Sequence, residues 1–141
     1  MTVTEKPVPV VSEVAKPYWD AAQREELFLQ RCNTCGKAAF YPRHWCPHCL
    51  ALETSWEKAS GDGRVHSFSV VYQAPFDAYK ADAPYVLALI ELAEGPVMMS
   101  NLLNCDPEIV RVGMPVRVCF EERAGGFKIP QFELAAGAFD A

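Results

Sequence analysis

Cys32-Asn33-Thr34-Cys35 and Cys46-Pro47-His48-Cys49 are two C-x-x-C steps separated by ten residues. Each step brings two sulfurs to one side of a tight turn, and two such turns supply the four thiolates of a tetrahedral metal site. Zinc favours four soft ligands in that geometry. A shell closed by Cys32, Cys35, Cys46 and Cys49 leaves no position for water or substrate, so the expected site is structural rather than catalytic. His44 and His48 lie close by in sequence, but four cysteines already complete the shell and both histidines are expected to face solvent.

Iron is the rival metal, because a Cys-Pro-x-Cys step also occurs in rubredoxin and tetrahedral sulfur accommodates either ion. Leu50 stands where rubredoxin commonly carries glycine, which weakens the redox reading. The stretch from Cys32 to Cys49 is rich in turn formers and poor in large aliphatics, so it cannot build an apolar core and a metal must hold it.

The rest of the chain sets the frame. At 141 residues and 15.7 kDa it is one ordinary domain or one domain with a small appendage. Half the residues are hydrophobic and only 22% are charged, which excludes general disorder. No apolar run reaches the roughly 20 residues of a membrane span. Met1 to Lys16 also lacks the basic and apolar regions of a signal peptide. The expected location is the cytoplasm, where six cysteines are better read as metal or redox chemistry than as three disulfides.

Outward from the cysteines, residues 1–16 read as a flexible arm and residues 17–31 as a short helix opened by Pro17, followed by a lead-in strand. Residues 32–55 form the ribbon, and residues 56–141 a barrel, with Ala51 to Ser60 as a linker between them. Five strands are expected beyond it. They are Arg64–Tyr72, with His66, Phe68, Val70 and Tyr72 on one face, Tyr85–Leu92, covered on both faces, Val97–Leu103, the stretch around Val116, Val118 and Phe120, and Lys128–Leu134. Asp106-Pro107-Glu108 opens a small helix between the third and fourth strands, and Gly125-Gly126 turns the last hairpin. A mainly β chain with an N-terminal helix, a four-cysteine ribbon and a five-stranded barrel fits an OB-fold better than an SH3-like barrel.

Charge and motif narrow the function. The formal charge is -5, and all of that excess falls beyond Ser55, with seven basic against twelve acidic residues. An OB-fold that tracks single-stranded nucleic acid needs a basic groove with stacking aromatics, and only the aromatics are here. That binding module, and a rubredoxin-like electron carrier, are the alternative readings. There is no G-x-S-x-G elbow, Gly-rich phosphate loop or motif-placed acidic pair. His66 reads as a structural histidine rather than a general base. Cys105, beside a helix cap that can lower a thiol pKa, and Cys119 read as small buried hydrophobes. On the long loop Gln73 to Pro84, Phe76 and Tyr79 either plug their own barrel or cover a ligand or partner.

Tyr18-Trp19, Leu29-Gln30-Arg31-Cys32, Cys35-Gly36, Tyr41-Pro42-Arg43, Cys46-Pro47-x-Cys49, Gly61-x-Gly63-x-Val65-x-Ser67-Phe68, Pro84-Tyr85-Val86, Glu91-x-x-Glu94-Gly95 and Gly113-Met114-Pro115-Val116 occur here in one order. In that order the chain resembles the zinc-ribbon plus OB-fold family once catalogued as domain of unknown function 35. Only Leu50, where the family often has glycine, departs from it. The resemblance implies a non-catalytic accessory subunit of a thiolase-superfamily enzyme, whether thiolase, acyltransferase or thiolase-like aldolase. In such complexes the large partner carries the catalytic residues and acts on acyl-CoA, and the small subunit stabilises the assembly and helps enclose the pantetheine arm. The expected cofactor is structural zinc, with a CoA thioester bound jointly with the partner, and neither nucleic acid nor membrane is expected to bind. Tyr18, Trp19, Phe76 and Tyr79 are the expected partner or pantetheine contacts, since aromatic side chains anchor interfaces.

Overall fold

Alternating apolar residues punctuated by glycine and proline turns produce one α-helix, three short 3-10 helices and eight strands in residues 5–135, the part of the chain that the computed structural model describes. Helix α1 (Lys16–Gln23) carries Pro17 in its first turn, where a missing N–H costs nothing, and buries Tyr18, Ala21 and Ala22. Strands β1 (Phe28–Cys32), β2 (Ala38–Ala39) and β3 (Thr54–Lys58) form an antiparallel sheet in the order β2-β1-β3. Strands β4 (Asp62–Val71), β5 (Tyr85–Leu92), β6 (Val97–Leu103), β7 (Pro115–Glu122) and β8 (Lys128–Leu134) close a barrel in the order β4-β5-β6-β8-β7. The β6–β8 pairing is parallel and the others antiparallel. This is the expected mainly β architecture of a ribbon and an OB-fold. Among the described residues no helix is long and apolar enough to cross a membrane.

Four local expectations are corrected. The stretch expected to be a linker contains β3, whose five residues pair in register with all of β1, from Phe28 opposite Lys58 to Cys32 opposite Thr54. The ribbon therefore gains its third strand from beyond its last cysteine. The helix expected after Asp106 is a single 3-10 turn, Pro107–Ile109. Asp106 does cap it, its carboxylate accepting from the Glu108 N–H at 2.9 Å, but the chain is already extended at Val110.

Period two fails in β4, because a bulge between Val65 and Ser67 inserts one residue and reverses the pleat. Val65 is buried, His66 is exposed, and Phe68 and Val70 are half-buried beyond it, so His66 does not share their face. Nor is β5 covered on both sides. Val86, Ala88, Ile90 and Leu92 are buried, while Leu87 and Glu91 are exposed.

One core joins the two parts. Tyr18, Leu27, Leu29 and Ala38 from the helix and ribbon belong to the same buried cluster as Val65, Ile90, Val116 and Phe132 of the barrel. Burying each large aliphatic or aromatic side chain contributes about 1.5–3 kcal/mol. Gln23 adds a polar tie, its amide exchanging two hydrogen bonds with the Lys128 backbone at 2.9 and 3.1 Å. Close packing also fixes a glycine in β4. A Cβ on Gly63 would lie 2.7 Å from the Glu91 carbonyl oxygen, which is held in the sheet.

Candidate metal centre and partner surface

The two cysteine turns are built alike. In the first, the Thr34 and Cys35 N–H groups donate to the Cys32 sulfur at 3.3 Å, and in the second the His48 N–H donates to the Cys46 sulfur at the same distance. The Gly36 N–H donates to the Cys32 carbonyl at 3.0 Å, and the Leu50 N–H to the Cys46 carbonyl at 2.9 Å. The turns thus aim four sulfurs at one point. All four Sγ atoms lie within 4.8 Å of one another, with Cys32 to Cys49 at 3.5 Å and Cys35 to Cys46 at 3.7 Å. A tetrahedral zinc with Zn–S bonds of about 2.3 Å would separate its sulfurs by about 3.8 Å. The donor set therefore fits the ion.

The proton chemistry agrees. Backbone donors, the Cys35 N–H foremost, pull the Cys32 thiol down to about 6. At Cys49 the Ala51 backbone works in the same direction, but the crowding sulfurs, Cys32 first, outweigh it and hold that thiol up at about 11. Against burial, backbone N–H donors lower the Cys46 thiol as well, so Cys32 and Cys46 favour the thiolate while Cys49 resists it, and a divalent cation among the sulfurs removes that resistance. His44 and His48 are both exposed and stand outside the four-sulfur cluster.

Gln30, buried in β1, orients the ribbon. Its amide donates to the Arg43 carbonyl at 2.8 Å and accepts from the Arg43 N–H at 2.9 Å, fixing the approach to the second turn.

The other cysteines are poor nucleophiles. Burial, reinforced by the Asp106 charge, raises the Cys105 thiol, so no helix terminus activates it. Burial and the carboxylates of Glu133 and Glu121 push Cys119 up to about 11. His66, exposed on the bulge, has its Nδ1 4.0 Å from Glu91.

The four aromatic residues singled out for partner contact are divided by the structure. Tyr18 is 5% exposed, packed edge-on against Trp19 at 4.8 Å and against Phe40 at 5.3 Å, so its ring is core. Trp19 is half-buried, with Phe127 at 5.5 Å. Phe76, 65% exposed, stands out from the loop, whereas Tyr79 turns back. Its ring lies 6.1 Å from Tyr85 and beneath the cations of Lys6 and Arg123, and its hydroxyl accepts from Arg123 at 3.4 Å. Lys6 also bridges Asp82 at 2.5 Å, and the Pro7 carbonyl accepts from Arg123, so this part of the arm rests on the barrel mouth.

The sequence reading missed an apolar groove of about 430 Å3, walled by Trp19, Tyr41, Leu87, Met99, Ile129 and Pro130. Tyr41 reaches over the edge of β6, its hydroxyl accepting from the Met99 N–H at 3.3 Å. The signal was present in the outward positions of β5 and β6, where Leu87 and Met99 are apolar and Met99 is 53% exposed. A second groove of about 650 Å3 between ribbon and barrel brings Arg31, Lys37, Arg43 and His48 together with Glu94.

A four-sulfur ribbon fused through one core to an OB-fold barrel defines the class of protein. Family models carry it further: residues 19–55 match the "ChsH2, rubredoxin-like zinc ribbon domain", and residues 56–121 match the "ChsH2, C-terminal OB-fold domain". The chain belongs to this family of ChsH2-type zinc-ribbon and OB-fold proteins, whose members also carry the name DUF35.

A "DUF35 domain-containing scaffold protein" of Methanocaldococcus jannaschii is 44% identical over 109 residues, covering 76% of each chain. A "Probable enoyl-CoA hydratase alpha subunit" of Thermomonospora curvata is 32% identical over 130 residues, which is 92% of this chain but only 40% of that longer protein. Among solved structures, a chain of the "Ltp2-ChsH2(DUF35) aldolase" superposes with a TM-score of 0.81 at 32% identity, covering 92% of this chain and 100% of that one.

Proposed function

We propose that this chain is a zinc-containing, non-catalytic accessory subunit of an enzyme complex that acts on acyl-CoA thioesters. Its large partner is a thiolase-superfamily protein, whether thiolase, acyltransferase or thiolase-like aldolase, and supplies the catalytic groups. The observation that carries the reading is the match to a whole chain of the Ltp2-ChsH2(DUF35) aldolase. The scaffold and alpha-subunit names of the relatives support it. Cysteines used for metal rather than disulfides support a cytoplasmic location for the complex.

Within that complex Cys32, Cys35, Cys46 and Cys49 hold zinc, which supplies a cross-link among the four sulfurs and no open coordination position. Trp19 and Phe76 face the partner or the pantetheine arm, with Tyr18 supporting Trp19 from inside the core and Tyr79 holding the Phe76 loop against the barrel. Pantetheine is long and uncharged, which suits a mainly apolar groove.

The test is purification of the tagged chain from its native host, with identification of the bound protein, followed by acyl-CoA assays of each component and of the mixture. Activity is expected in the large subunit or the mixture and none in this chain alone. Trp19→Ala, and the pair Phe76→Ala with Tyr79→Ala, are expected to weaken co-purification. Enzyme-like acyl-CoA turnover by the isolated chain would overturn the proposal.

A further inference from the structure

The two cysteine turns of this one chain form an internal comparison. Gly36 follows Cys35 at φ +77°, and Leu50 follows Cys49 at φ +67°, each closing its turn with the same backbone hydrogen bond. Both turns therefore demand left-handed backbone, where an L side chain crowds its own carbonyl and glycine does not. No atom lies within 4 Å of a Cβ placed on Gly36, so backbone conformation rather than space accounts for glycine there. The second turn holds a leucine that is 71% exposed and so recovers little burial within its own chain.

Its neighbours share that exposure. Leu52 is 75% exposed and Trp45 49%. The Cys46 N–H donates to the Ala51 carbonyl at 2.8 Å, drawing the two ends of the turn together so that all three residues border it. One exposed leucine needs no explanation, but three large apolar residues on one turn, one of them strained, do.

Charge indicates what covers them. The ribbon from β1 to β3, residues 28–58, contains Arg31, Lys37, Arg43 and Lys58 against Glu53 and Glu57, whereas the remainder of the chain has 9 basic against 16 acidic residues. A zinc-bound tetrathiolate offsets that excess of two positive charges and leaves the ribbon near neutral, the least acidic part of the molecule. Aliphatic leucines do not stack on bases, and so few cations cannot track a phosphate backbone, so the ribbon suits a protein rather than a nucleic acid.

We infer that Trp45, Leu50 and Leu52 form a hydrophobic knob that docks into an apolar socket rimmed by carboxylates on the large acyl-CoA-processing subunit. The inference rests on the accessory-subunit reading above. The strained Leu50 is the anchor. Lys37 and Arg43, exposed on the same ribbon, meet the acidic rim.

Leu50→Gly separates docking from folding. It relieves the backbone, so the zinc-loaded variant is expected to melt about 2–4 °C higher than the parent. In calorimetry against the purified large subunit that co-purifies with the parent chain, it is expected to bind about tenfold more weakly. Leu50→Asp combined with Leu52→Asp, which places like charge against the rim, is expected to weaken binding at least about a hundredfold. Zinc content of every variant is measured alongside, and if the double variant loses zinc, Leu50→Gly carries the test.

Unchanged affinity in Leu50→Gly, with the parent binding normally, would overturn the knob alone. A concentration-dependent dimer of the parent that the variants abolish would assign the knob to a second copy and overturn the inference. Salt-sensitive binding to an oligo-dT strand that the variants abolish would do the same. If the parent captures no acyl-CoA enzyme, the accessory-subunit reading fails first and this inference with it.

Discussion

Gln131 does at one position what backbone pairing fails to do along a strand. β6 and β8 pair only at Leu102–Phe132 and Leu103–Glu133, which leaves the first half of β6 without a backbone partner on that side. Buried at this seam, the Gln131 carbonyl oxygen accepts from the Ser100 hydroxyl at 2.8 Å and the Asn101 N–H at 3.0 Å, and its amide donates to the Asn101 side chain at 3.2 Å. A side chain thus closes the barrel where the strands diverge. Gln131→Leu keeps much of the volume but orphans the Asn101 N–H and leaves the Ser100 hydroxyl only its longer bond to the Pro130 carbonyl, at 3.4 Å. Urea unfolding is expected to show a loss of about 1–3 kcal/mol. An unchanged midpoint would mean that water or a shift of β6 satisfies those groups. Such a role has no sequence signature, because a glutamine flanked by Pro130 and Phe132 reads as an ordinary strand residue until β6 is placed beside it.

At the scale of elements, the ribbon lacks an apolar interior of its own beyond what β1 and β2 contribute to the shared core, so its shape depends on the four sulfurs. Apparent zinc binding energies in finger peptides are about 10–16 kcal/mol, far above what a two-residue strand such as β2 supplies. Chelation, or Cys46→Ser, is expected to open residues 33–53 to protease and to abolish bound metal, measured by limited proteolysis and elemental analysis. Because Leu27, Leu29 and Ala38 sit in the barrel's cluster, the melting temperature of the whole chain is expected to fall as well. Protection of the ribbon after complete metal removal would refute the dependence. Local signals were enough to find the metal turns, since their spacing alone specifies two convergent pairs, and enough to find the five barrel strands. They failed where an element owes its form to a distant one. Thr54-Ser55-Trp56-Glu57-Lys58 has no pattern stronger than a linker's, and becomes β3 only because β1 offers an edge. The β4 bulge at His66 is likewise invisible to periodicity, being fixed by the register against β5. The apolar groove draws on α1, the loop after β2, and strands β5, β6 and β8, so no local window contains it.

Across the whole molecule, electrostatics decides between the two uses of an OB-fold barrel. Proteins that hold single strands pair stacking aromatics with a cationic track, and lose affinity steeply as salt displaces the counterions they release. This chain has the exposed rings of Tyr72 and Phe76, yet its barrel half carries seven basic against twelve acidic residues. Among its cations, Lys6 is already bonded to Asp82 and Glu121, Arg123 to Glu121, and Lys128 to Glu25. Phosphates approaching this surface meet uncompensated carboxylates. Nonspecific binders commonly show dissociation constants of roughly 1–100 µM at physiological salt, and tighter ones below it. Titrating a fluorescent oligo-dT with the zinc-loaded chain at low salt is therefore expected to leave its anisotropy unchanged through that range. Saturation there, reversed by added salt, would place the barrel among the single-strand binders and remove the reason for seeking its ligand among uncharged thioester arms. Flat titration leaves the aromatic rings and the acidic face to be explained together, and a partner that covers the rings while its own cations meet the carboxylates explains both.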